Sequence, residues 1–90
     1  AYTAAGGLLA AGTVIVSSSG STAFKPSGIT TAAFALAVPY GQLITPGTAG
    51  SFADVSASVG SGGTITIRAV DYTGTASSTA GTASYIVVGT

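Results

Sequence analysis

Charge is what this chain has least of. Charged residues make up 4% of its 90 positions, against about 25% in an average soluble domain. His, Cys, Glu, Met, Trp and Asn are missing altogether. Without His or Cys there is no usual general base, no thiol nucleophile and no ordinary zinc ligand set. Serines are plentiful, but an activated serine needs a base beside it, and Lys25, just before Pro26, reads as an exposed turn lysine. Asp54 and Asp71 are the only carboxylates, far apart in sequence and unlike the clustered carboxylates of a calcium loop. No catalytic residue, metal site or cofactor is expected, and the chain reads as a non-enzyme. Lys25 and Arg68 are too few to neutralise a nucleic-acid backbone. Lack of Asn excludes N-linked glycosylation. With no cysteine, no disulfide stabilises so small a domain, so burial against other subunits is the expected further source of stability.

What is present is small and uncharged. Hydrophobic residues amount to 47%, but seventeen of them are Ala. The remainder suffices for a thin two-layer core. Ser, Thr, Gly and Ala must then make up most of the surface, and a chain of zero net charge tends to associate. No stretch reads as a transmembrane helix; the uncharged run over residues 1–24 is broken by Gly6-Gly7, Gly12 and a serine-rich segment.

The clearest strand is residues 64–70, where Ile65, Ile67 and Ala69 alternate with Thr64, Thr66, Arg68 and Val70. A period of two places these sets on opposite faces, one of them toward a core. The segment 60–63 (GSGG) opens this strand, and Asp71 to Gly74 close it with turn-prone residues. Residues 84–88 (SYIVV) are apolar on both faces, as in a central or interface strand. An antiparallel hairpin of these two strands is expected, joined by the long connection 73–82. Arg68 and Asp71 are expected to pair at the strand end.

Other short strands are expected at 13–17, 22–25, 29–38, 42–45 and 52–59. In 29–38 the larger Phe34, Leu36 and Val38 share a face with Ala32, opposite Thr31, Ala33, Ala35 and Ala37. Alanine also admits a helix there, but period two favours a strand that Pro39 ends. In 52–59, Ala53, Val55, Ala57 and Val59 are expected inward. About seven short strands separated by Gly, Pro and Ser turns make an all-β antiparallel sandwich or jelly roll. That single domain is placed at 13–90. Residues 1–12, with Tyr2, Leu8 and Leu9, read either as a frayed end or first strand, or as an assembly arm packing on a neighbouring subunit.

Two resemblances add to this. Residues 65–74 (ITIRAVDYTG) resemble a strand and turn of fibronectin type III and bacterial immunoglobulin-like domains, which implies a sandwich; the core Trp and disulfide of true immunoglobulin domains are absent. The whole chain is similar in composition to small all-β proteins of bacteriophage virions, namely head decoration (cement) proteins and fibre domains. It shares their Ala, Gly, Ser and Thr richness, lack of cysteine and few charges. This likeness implies a protein that docks on a capsid lattice or forms part of it, often as a symmetric oligomer.

The expected function is a structural protein of a virion, decorating or stabilising a capsid through subunit contacts, with self-association or a capsid protein lattice as partner. An opening Ala1-Tyr2-Thr3 is what remains after an initiator Met is trimmed, which implies synthesis in a host cytoplasm. Signal cleavage leaves Ala as well, so an extracellular or cell-surface filament or surface-layer subunit is the alternative. A third reading is a carbohydrate-binding adhesin module, using Tyr40 and Tyr72, which lie in turns where exposure is expected. No nucleic-acid or membrane partner is expected.

Overall fold

A computed structural model describes residues 2–4, 7–40 and 52–90. Its seven strands are β1 (Tyr2–Ala4), β2 (Gly7–Val16), β3 (Ser21–Phe24), β4 (Ala32–Pro39), β5 (Asp54–Val59), β6 (Ile65–Val70) and β7 (Gly81–Gly89). All pairings are antiparallel. They form a four-stranded sheet in the order β1-β2-β7-β4 (sheet A) and a three-stranded sheet in the order β3-β6-β5 (sheet B). The expected strand at 42–45 lies outside the described residues.

The β2·β7 and β3·β6 pairs are nested, as in one long hairpin rolled over on itself. Such nesting is compatible with a jelly roll, within the wider class of antiparallel sandwiches. In an immunoglobulin sandwich the last strand instead lies at an edge beside the sixth. Here β7 sits between β2 and β4, an order that differs from the immunoglobulin one.

The expected β6–β7 hairpin is corrected by this order, since the two strands lie in different sheets. The connection between them is tied back to β6 rather than left as a simple loop. The Ser77 amide donates to the Ala69 carbonyl at 2.9 Å, and Val70 bridges Ala76. Asp71 is buried, and its Oδ1 accepts from the Thr73 hydroxyl at 2.6 Å, the Thr73 amide at 2.9 Å and the Thr75 amide at 3.1 Å. A carboxylate wrapped by its own following residues fixes a tight turn, which Gly74 completes at a positive φ of 88° with its amide donating to the Asp71 carbonyl at 3.1 Å. The chain then crosses to sheet A and enters β7.

Between the sheets lies the core. Sheet B supplies its bulk through Ile65, Ile67, Val55 and Phe24, while sheet A contributes Val16, Val87 and many small residues, Ala10, Ala35, Ala37 and Ala83 among them. The inward alternation of β6 is as expected, with Ile65, Ile67 and Ala69 all buried. In β5, Val55 is buried and Ala57 half-buried, but Val59 reaches the rim and is exposed. The Phe24 and Tyr85 rings meet across the sandwich with centroids 4.7 Å apart, tilted by 58°, within the favourable range for aromatic pairs. Gly12, opposite Tyr85 in the ladder, makes room for that ring; a Cβ there would stand 3.1 Å from the tyrosine oxygen.

Residues 1–12 do not end at a structural boundary. β2 runs unbroken through Gly12 and Thr13, paired with Tyr85 and Ser84, and β1 folds back on it with Tyr2 in register with Leu9.

Truncating the core is expected to cost far more than truncating the surface. Ile67→Ala should lower unfolding stability by about 2–5 kcal/mol, and Asp71→Ala by about 1–3 kcal/mol through the donors it strands. Urea titrations followed by circular dichroism measure both, and an Ile67→Ala protein as stable as the parent would contradict the two-sheet core.

Candidate assembly surface

The outer faces of the two sheets are unlike each other. On sheet B the register places Ser21, Arg68 and Ser56 in one row and Ala23, Thr66 and Ser58 in the next. This face is small and polar, and it carries Arg68, with Asp54 at its border.

Sheet A presents the opposite chemistry. Its outward rows are Leu9, Val88 and Phe34; then Ala11, Ile86 and Leu36; then Thr13, Ser84 and Val38. Ile15 and Thr82 follow, and the Tyr40 amide extends the ladder by donating to the Thr82 carbonyl at 2.9 Å. Exposure is high for large apolar side chains, reaching 69% at Ile15, 62% at Leu36 and 59% at Val38. Phe34, Tyr40 and Ile86 are exposed too. A shallow depression lies among Leu36, Ala37, Val38, Ser84, Tyr85 and Ile86. Scattered exposed apolar residues are ordinary, but a contiguous field of them marks an interaction site.

The reason this face is apolar is a β-bulge. Ala32 pairs with Gly89, but the next pair is Phe34 with Val88, leaving Ala33 as an extra residue. One added residue reverses the phase of every side chain after it. Ala32 therefore points inward and is buried, whereas Phe34, Leu36 and Val38 point outward and Ala35 and Ala37 turn to the core. Strict alternation had grouped Ala32 with the three larger residues, and the bulge separates them. Gly89 permits the close approach: a Cβ there would lie 2.9 Å from Ala32 Cα. Thr90 clips the same place, its amide donating to the Thr31 carbonyl at 2.8 Å and its carbonyl accepting from Thr30 and Thr31.

No family model, curated protein or solved structure matches this chain. The surface must be read from its own chemistry.

Of the residues singled out from sequence, Tyr40 joins the apolar face beside Val38. Tyr72 is also exposed but belongs to the β6–β7 connection. Both stand at the same end of the sandwich, where β4 and β6 finish. Leu8 and Leu9 separate, as neighbours in a strand must: Leu8 packs on the chain's own core, and Leu9 lies in the outward row with Val88. Tyr2 is placed on β1 in register with Leu9. Sequence reading did not single out Ile15, Phe34, Leu36, Val38 and Ile86 as a site. One signal was available: residues 84–88 are apolar on both faces, so the side of β7 turned away from the core is apolar as well.

Replacing Leu36 and Val38 together by Ser should leave folding stability within about 1 kcal/mol, as expected for surface positions, while sharply reducing binding of a hydrophobic dye. Unchanged dye fluorescence would show that these side chains are not the exposed apolar surface.

Proposed function

We propose that this chain is a non-enzymatic structural protein of a virion, which decorates or stabilises a capsid by burying the outer face of sheet A against other protein subunits. The observation that carries this reading is the contrast between the two outer faces. A charge-poor sandwich keeps its few polar-face charges on sheet B and offers sheet A as an apolar field. Such a field is costly to leave in water, since each large aliphatic side chain forgoes up to about 1.5–3 kcal/mol of burial. A lattice of subunits supplies that burial on assembly. The choice of a virion over another assembly rests on the likeness of composition to phage decoration and fibre proteins, which is an analogy of composition and surface.

Immunogold labelling with antibody to the purified protein distinguishes the settings. Label on the surface of purified virus particles from the source culture is the expected result. Label confined to extracellular fibres or the cell envelope would overturn the virion setting in favour of a filament or surface-layer subunit.

A further inference from the structure

We propose that the outer face of sheet A is covered by the same face of a second copy of this chain, packed about a two-fold axis that runs parallel to β7. This rests on the reading of that face as an assembly surface, and names its occupant.

The relief of the face is the main reason. Large side chains stand along β4, whereas the middle of β2 carries Ala11 and Thr13. Across the ladder, Leu36 lies level with Ile86 and Ala11, and Val38 lies level with Ser84 and Thr13. A half-turn about an axis along β7 exchanges the β4 side for the β2 side and leaves each row at its own level. Leu36 of one copy then lies over Ala11 of the other, and Val38 over Thr13. In these two middle rows high meets low on both sides of the axis. At the end of the face Phe34 lies over Leu9, and on the axis Ile86 meets its own image. Apolar there meets apolar, as in the self-complementary patch of an isologous interface. A two-fold axis across the strands would instead set β4 ridge on β4 ridge.

Charge and area agree. Asp54 and Arg68 are on the sheet B side, Lys25 follows β3, and Asp71 is buried in its turn, so no charged side chain of β2, β4 or β7 meets its own image. Like-charge juxtaposition is the usual obstacle to self-association, and it is absent here. The face spans about 15–20 Å across the strands and about 26 Å along them. Counting the relief of both copies, pairing removes on the order of 1,000–1,500 Å² of accessible surface, at the lower end of specific interfaces. Two antiparallel sheets stacked about 10 Å apart is a familiar packing. The expected product is a dimer that forms reversibly with concentration.

The test combines native mass with cross-linking on the full chain. Light scattering across a concentration series should rise from the monomer mass to a plateau at twice that value. Because the chain has no cysteine, Ser84→Cys on β7 provides a single thiol next to the axis, and a short bis-maleimide should join two copies through it. Ser56→Cys on the sheet B face should not be joined. Ala11→Lys fills the receiving hollow and adds charge, and should weaken the dimer at least about tenfold; circular dichroism confirms that this variant folds. Ser56→Lys should leave the dimer unchanged. A protein that stays monomeric at the highest concentrations, or a dimer indifferent to Ala11→Lys, would overturn the proposal. If particles are labelled by antibody while the isolated protein stays monomeric, the structural role stands and the face is covered by a different protein.

Discussion

One extra residue in an edge strand decides how this molecule meets its surroundings. Ala33 has no partner across the ladder, and its insertion reverses the facing of everything from Phe34 to Tyr40. Were the pairing regular, the large side chains of β4 would point into the sandwich, where Ile65, Ile67 and Phe24 already occupy the space. Interiors are close-packed, and both sets cannot be accommodated without strain. The bulge resolves this conflict by sending the larger set outward and turning Ala35 and Ala37 in. The clip between Thr90 and residues 30–31, with the bare backbone of Gly89, holds the bulge at that position.

The molecule that results has two surfaces of different character around a modest core. Sheet B is bulky within and polar without. Sheet A mixes alanines with larger side chains such as Leu8, Val14 and Tyr85 within and is apolar without, and β7 at its centre is apolar on both sides. A chain with so few large side chains and no disulfide nevertheless places a substantial share of them on an exposed outer face. The stability of the isolated domain therefore rests chiefly on Ile65, Ile67, Val16 and Val87, all fully buried, and on the sheet ladders.

Much of the fold was legible in the sequence, because period two is visible wherever one face is buried and the other polar. The strand of Ile65, Ile67 and Ala69 is the plainest case. Pairing was less legible. Consecutive strands pair often enough to make a β6–β7 hairpin the natural expectation, yet the Asp71 turn and the Ser77–Ala69 hydrogen bond carry the connection back along β6 before it changes sheets. The facing of β4 was not legible for a different reason. Alternation tells which residues share a face but not which face lies inside, and nothing in Ala33 distinguishes a bulge from a regular strand residue. Tyr40 could be placed at the surface because it was expected in a turn, whereas its membership of an apolar field depended on a ladder that only the folded chain reveals.

The most direct measurement is the reactivity of single thiols at adjacent positions in dilute protein. With no native cysteine to interfere, Leu36→Cys and Ala35→Cys can each be treated with a maleimide under native conditions. The bulged register predicts that the thiol at 36 reacts at the rate of an exposed cysteine, while the thiol at 35 is protected and reacts only on opening of the sandwich. Protection at 36 with rapid reaction at 35 would mean that β4 faces the other way, and the apolar outer face would not exist.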